Sequence, residues 1–140
     1  MGTQQLLLIV LGVIIVGIAV VVGINIFGQN AEQASKDAAI QDCLRIAASA
    51  QGYFRKPEML GGGGNEFTGI TMANCGMTPD IAGGMTATNE NAVYTVAVVN
   101  ADEFTVTGVN NQDATKKIVI SVDMAAAEAD RVDIDDTAWE

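Results

Sequence analysis

The chain contains no histidine and only two cysteines among its 140 residues. Without histidine it can form neither a Ser-His-Asp triad nor a histidine-ligated metal centre. It also lacks a Gly-x-Ser-x-Gly elbow and any spacing typical of metal ligands. We therefore expect no enzymatic activity and no cofactor.

Charged side chains are absent from the first 31 residues, and the stretch from Leu6 to Phe27 is almost wholly apolar. As a helix this stretch would be roughly 33 Å long, enough to cross a bilayer core of about 30 Å. Signal peptides and newly made anchors normally carry Lys or Arg ahead of the apolar run, whereas the first basic residue here is Lys36. We therefore expect that a basic leader has already been removed.

The rest of the chain is acidic, with 17 Asp and Glu residues against 7 Lys and Arg residues and a net charge of -10. Such a surface repels nucleic acid and anionic lipid, so we predict no nucleic-acid partner. Composition leaves room only for small local basic patches, such as Arg55-Lys56 or Lys116-Lys117.

One long helix is predicted from about residue 3 to about residue 56, and its two halves differ in polarity. The first half is apolar on all sides, and the second half, 31–56, is amphipathic because Ile40, Cys43, Leu44, Ala47, Ala50 and Phe54 recur at spacings of three and four. Pro57 ends the helix. The glycine-rich stretch that follows, 57–90, is predicted to be a loop, with a flexible segment at Gly61–Asn65.

The hydrophobic period then changes to two, which is typical of strands. Strands are predicted at 91–99, 103–109 and 116–123, with a short fourth at 131–135, and the connections are short enough for antiparallel hairpins. A meander with one apolar face needs a cover, which the amphipathic helix provides. The predicted fold is α+β, with an apolar helix at 1–30 and a head at 31–140 in which helix 31–56 packs on a three- to four-stranded meander within 91–140.

The cysteines, Cys43 and Cys75, have two open interpretations. In an exported domain the favoured one is a single disulfide that pins the loop to the helix, which would stabilise the fold by roughly 3–4 kcal/mol in the chain-entropy model. Free thiols are the alternative.

Acidic residues crowd the C-terminus, where Asp133, Asp135 and Asp136 are weak candidates for calcium ligands. The chain lacks the EF-hand pattern, and a run of charges is usually a solvated face. We therefore predict no metal site and keep calcium as the alternative.

A membrane-length N-terminal helix that continues into an amphipathic half, followed by a loop and an antiparallel meander, resembles type IV pilins and pseudopilins. In that family a Glu commonly stands near the processed N-terminus and helps admit the subunit to the filament. With Met1 as the processed residue, Gln5 stands at this position, and Gln5 or Gln4 can accept a hydrogen bond from the Met1 amino group without neutralising it.

The resemblance implies self-association into a helical polymer through the apolar helix. Gly12, Gly17 and Gly23 would permit close helix approach and local loosening, and Phe27 would pack. It also implies a prepilin peptidase, an assembly ATPase and a membrane platform as partners, with the cytoplasmic membrane as the subunit reservoir. The expected function is a structural subunit of an extracellular type IV pilus-like filament. The alternatives are a pseudopilin, a minor tip subunit, or a single-pass membrane protein with an external binding domain.

Overall fold

The computed structural model describes residues 2–139, which form one long helix, five strands and three short 3₁₀ turns. Helix α1 spans Gly2–Arg55. The strands are β1 (Thr86–Thr88), β2 (Ala92–Val98), β3 (Glu103–Asn110), β4 (Lys117–Asp123) and β5 (Val132–Asp135). The chain divides into two compact units between Ser35 and Lys36, somewhat later than the predicted boundary at residue 30. The predicted α+β class is confirmed.

In the second unit, α1 buries a stripe of mostly small residues. Its buried members are Ala39, Cys43, Ile46, Ala47, Ala50 and Phe54. Small side chains let the helix approach the sheet closely, and a Cβ added at Gly108 on β3 would lie only 2.9 Å from the Cys43 sulfur. Leu44 was predicted on this stripe, but it is 37% exposed because the buried face is centred away from it, on Cys43 and Ala47.

The strands form one antiparallel sheet in the order β1-β2-β3-β4-β5, so every sheet neighbour is also a sequence neighbour. The three predicted main strands and the short fourth correspond to β2 to β5. The prediction missed β1, because Thr86–Thr88 lies inside the stretch assigned to loop. Three residues carry too little periodicity to be recognised, and pairing with β2 is what holds them extended.

Alternate residues of the central strands face the helix, as the period-two pattern predicted. Phe104, Val106, Ile118, Ile120 and Val122 are buried in the core with the helical stripe. The loop adds Phe67, whose ring centroid lies 4.9 Å from that of Phe54 and 5.3 Å from that of Phe104. These aromatic contacts close the core at the end of the helix.

The predicted flexible segment Gly61–Asn65 is instead a hydrogen-bonded cap on the helix terminus. The Gly63 and Asn65 backbone N–H groups donate to the carbonyl oxygens of Tyr53 and Phe54, at 2.9 and 2.7 Å. The Gly64 N–H donates to the carbonyl of Lys56 at 3.0 Å. Terminal helix carbonyls have no partner within their own helix, so these bonds satisfy them.

Candidate assembly surface

The first unit presents an exposed apolar helix surface. Between Leu6 and Phe27 lie 17 large apolar side chains that are 49–77% exposed: Leu6, Leu7, Leu8, Ile9, Val10, Leu11, Val13, Ile14, Ile15, Val16, Ile18, Val20, Val21, Val22, Ile24, Ile26 and Phe27. Burying one such side chain is worth about 1.5–3 kcal/mol, so covering the set is worth tens of kcal/mol. By length and composition α1 is the one helix among residues 2–139 suited to crossing a membrane. We call the stretch Leu6–Phe27 the apolar segment.

Glycines interrupt the apolar segment on two different faces. At 100° per residue, Gly12 and Gly23 lie roughly 20° apart around the helix, whereas Gly17 lies roughly 140° from Gly12. A Cβ added at any of the three would meet nothing within 4 Å in the chain itself. Packing within the subunit therefore does not explain these glycines, and each offers a place where another helix can approach the backbone.

The remaining residues assigned to assembly lie at the two ends of this surface. Gln4 and Gln5 are exposed in the first turns of α1, and Phe27 is 77% exposed. Met1 lies outside the described residues, so the predicted bond between its amino group and Gln4 or Gln5 stays a prediction.

The structure contains Cys43 and Cys75 as free, buried thiols rather than as the favoured disulfide. Their surroundings differ: the Cys43 sulfur lies against Gly108, whereas Gly76, next to Cys75, lies beside Ser49. Ser49 is six residues beyond Cys43, which corresponds to roughly 9 Å along a helix. Burial raises the pKa of each thiol to about 12, which suppresses the reactive thiolate.

A polar cluster fastens the helix to the first strands of the sheet. Asp42 Oδ2 accepts hydrogen bonds from Tyr94 Oη at 2.8 Å, Asn89 Nδ2 at 2.8 Å and Asn91 Nδ2 at 3.2 Å. Burial opposes ionisation of Asp42, but the three donors and the nearby Arg45 charge outweigh it and hold the pKa of the carboxyl below its usual value. Burial, together with the bond to Asp42, raises the pKa of Tyr94.

Asn89 extends this cluster to the rest of the sheet. Its side-chain oxygen accepts the backbone N–H groups of Asn91 and Ala92, at 2.8 and 3.0 Å. Its backbone carbonyl accepts Asn111 Nδ2 at 2.7 Å, which brings in the loop between β3 and β4. Sequence reasoning missed this cluster. The only local signal was an Asn-x-Asn pair just before a strand, and nothing in it points to Asp42, 47 positions away in the chain.

The C-terminal carboxylates do not converge on a cation. Asp135 Oδ1 accepts the backbone N–H and the hydroxyl of Thr137, which lowers the pKa of its carboxyl. Asp136 forms an ion pair with Lys36 at 2.9 Å, and Asp133 lies on the exposed strand β5. Among residues 2–139 no three acidic, histidine or cysteine side chains are placed to hold a metal ion, so the calcium alternative is not supported.

Trp139, in the C-terminal 3₁₀ turn, anchors the end of the described chain. Its side chain is 2% exposed and belongs to the core. Its indole Nε1 is buried and has no hydrogen-bond partner among the described residues.

Comparisons of this chain with protein-family models, with curated protein sequences and with solved structures gave no match. Inferences about function therefore depend on the chemistry of the chain's own surfaces.

Proposed function

We propose that this chain is a structural subunit that polymerises through its N-terminal apolar helix into an extracellular type IV pilus-like filament. The observation that carries the proposal is the apolar segment: 17 large apolar side chains are exposed on a helix that continues without a break into a packed head. A surface of this size does not persist in water. Lipid covers it before assembly, and the helices of sister subunits cover it afterwards.

The two glycine faces favour a polymer over a simple dimer. Gly12 and Gly23 open one side of the helix and Gly17 opens another, so each helix can be approached closely from at least two directions. A single twofold contact would use one face of each partner, whereas repeated contacts through different faces build open helical assemblies.

The partners of this process follow from the proposal. The cytoplasmic membrane would store the subunit, a prepilin peptidase would remove the leader, and an assembly ATPase with its membrane platform would extract the helix. The neutral amide of Gln5 cannot neutralise a terminal amino group as a carboxylate does. Apolar packing therefore supplies a larger share of the free energy of assembly.

The decisive experiment is imaging and mass spectrometry of material sheared from the surface of cells that produce the chain. The proposal expects filaments several nanometres wide that contain this chain as their main protein, without a basic leader. A chain found only in the membrane fraction, with a basic extension and no filaments, would refute it and favour a single-pass anchor. Filaments in which it is a trace component would favour a minor tip subunit or a pseudopilin.

Substitutions on the glycine faces test the mechanism of assembly. Replacing Gly12 and Gly23 with Ile should abolish filaments while leaving the chain in the membrane, because two branched side chains would hold neighbouring helices apart. The matched control replaces Val13 and Ile24 with Ile and Val, which retains the apolar volume one position away. Normal filaments from the glycine variant would show that the helix face with Gly12 and Gly23 does not contact a neighbouring helix.

A further inference from the structure

Strand β5 has main-chain groups without a partner along its outer edge. Just before β5 begins, the N–H of Asp123 donates to the carbonyl oxygen of Arg131 at 2.9 Å. Because bonded and non-bonded pairs alternate along antiparallel strands, the N–H and carbonyl groups of Val132 and Ile134 point away from β4. No residue in the described range 2–139 bonds to these groups. We call them the open edge.

The opposite edge of the sheet, at β1, is closed by the chain itself. The backbone N–H of Asp80 donates to the Thr86 carbonyl oxygen at 2.9 Å. The Asp80 carboxylate accepts the backbone N–H of Thr88 at 3.0 Å and its hydroxyl at 2.8 Å. A free sheet edge is a template for pairing with another chain, and folded proteins commonly cover it. This fold therefore covers one edge and leaves the other able to accept a strand.

One face of β5 is apolar. Val132 and Ile134 pair in register with the buried Val122 and Ile120, so their side chains lie on the core face of the sheet. They remain 38% and 43% exposed because β5 is the last strand of the sheet. An added strand with apolar side chains on this face would cover them and extend the core.

The other face of β5 carries a carboxylate that its neighbours do not neutralise. Asp133 is exposed, and within residues 2–139 it accepts no hydrogen bond and makes no ion pair. Asp135 lies near the charge of Lys117. Arg131 pairs instead with Glu128, at 3.8 Å. A cation on an added strand opposite Asp133 would therefore meet an unpaired negative charge.

We propose that the open edge binds an extended segment of a partner protein, which joins the sheet as an antiparallel strand next to β5. The segment carries a β-branched apolar residue opposite each of Val132 and Ile134, with Lys or Arg between them. In that register the central residue and Asp133 form a non-hydrogen-bonded pair, in which side chains approach most closely. Main-chain bonds supply affinity, and the alternating side chains supply specificity. This binding does not require polymerisation, so it is independent of the filament proposal.

A short peptide probes the open edge. Fluorescently labelled acetyl-Ser-Val-Lys-Val-Ser-amide, titrated with the full chain in mild detergent, should show saturable binding by anisotropy. The matched control, acetyl-Ser-Val-Val-Lys-Ser-amide, has the same composition without the alternation. It should bind at least about fivefold more weakly, because no register places both valines on the core face and the lysine opposite Asp133.

N-methylation of the peptide tests for main-chain pairing. Methylating both valine nitrogens removes the N–H donors that face Val132 and Ile134, so binding should weaken at least about tenfold. Methylating the lysine nitrogen instead removes an N–H that points away from β5, so it should change binding by less than about twofold. These changes leave the protein itself unaltered.

A charge swap places the peptide on β5. Asp133→Lys should weaken binding of the Val-Lys-Val peptide about three- to tenfold, because it replaces an attraction with a repulsion. A Val-Glu-Val peptide should bind this variant better than it binds wild type. The control is Glu90→Lys, which makes the same charge change at an exposed position between β1 and β2 and should have little effect.

The inference predicts that only valine methylation and Asp133→Lys weaken binding of the Val-Lys-Val peptide. Equal binding of the alternating and scrambled peptides would overturn it, as would binding that tolerates methylation of both valines. Absence of binding to the wild-type chain would also overturn it, and would mean that Asp133 serves to keep the edge from pairing.

Discussion

The backbone N–H of Gly63 donates a hydrogen bond to the carbonyl oxygen of Tyr53 with a nitrogen–oxygen distance of 2.9 Å. This bond turns a run of four glycines into the cap of a helix that begins at Gly2. The loop folds back so tightly that a Cβ added at Gly63 would lie 1.9 Å from the Glu66 carbonyl oxygen.

Replacing Gly63 with Ala should therefore destabilise the head by about 2–3 kcal/mol, since either the cap or the chain near Glu66 must move. The measurement is urea unfolding of the full chain in mild detergent, followed by the fluorescence of Trp139, the single, buried tryptophan. The matched control is Gly52→Ala inside α1, where an added Cβ meets nothing within 4 Å; it should stabilise the head by about 0.5–1 kcal/mol. If Gly63→Ala and Gly52→Ala changed the free energy of unfolding equally, the hydrogen-bonded cap at Gly63 would be contradicted.

Gly108 should be just as intolerant, for a different reason. A Cβ there would lie 2.9 Å from the Cys43 sulfur and 3.2 Å from the Tyr94 ring, so Gly108→Ala should destabilise the head by about 1–3 kcal/mol. Cys43→Ala removes the nearest obstacle, and the double variant should be more stable than the sum of the single effects predicts. Strict additivity in the double-mutant cycle would show that the two residues are not in contact.

The Asp42 cluster should make the stability of the head dependent on pH. Its carboxyl has a lowered pKa in the folded state, so its contribution is complete above the ordinary Asp value of about 3.9 and is lost as the pH falls through the folded-state pKa. Asp42→Asn should cost about 1–2 kcal/mol at pH 7, because charged hydrogen bonds are replaced by neutral ones at a partly exposed site.

Unfolding curves at pH 7 and pH 3 measure this effect. The difference between wild type and Asp42→Asn should shrink at the lower pH, where the wild-type carboxyl begins to take up a proton. Asp133→Asn serves as the control, since it makes the same charge change on the exposed strand β5, away from the Asp42 cluster. An unchanged difference between pH 7 and pH 3 would exclude Asp42 as the titrating group.

The two thiols should react only after the head unfolds. Burial raises the pKa of both Cys43 and Cys75 to about 12, so iodoacetamide at pH 8 should leave the folded chain unlabelled. In denaturant without reductant, intact mass should then increase by two labels. If labelling instead requires a reductant, the chain carries the disulfide that its composition favoured.

Local patterns were sufficient for the order and type of the main elements. The apolar segment, the spacing of Cys43, Ala47, Ala50 and Phe54, and the alternation in β2 to β4 each repeat over many residues, so the helix, its buried stripe and the antiparallel meander were predictable. In each case the period of the sequence equals the period of the structure.

The other features depend on residues that are distant in sequence. Asp42 belongs to a cluster because the fold brings Asn89 and Tyr94 within hydrogen-bond distance of it. No periodicity in the sequence predicts these long-range contacts. Gly61–Asn65 looked flexible because composition reports only that glycine is unrestricted, whereas the positions of the Tyr53 and Phe54 carbonyls decide which conformation it adopts. Likewise, pairing with β2 decided that Thr86–Thr88 is a strand.

The sequence by itself determined that this protein carries a membrane-length apolar helix joined to an acidic α+β head, since hydrophobic period and charge are properties of the chain alone. Only the tertiary structure decided which surfaces the head leaves open, because exposure depends on what the rest of the chain covers. Met59 and Ile134 are ordinary apolar residues in the sequence. In the folded head, Met59 is almost fully exposed and Ile134 is partly exposed.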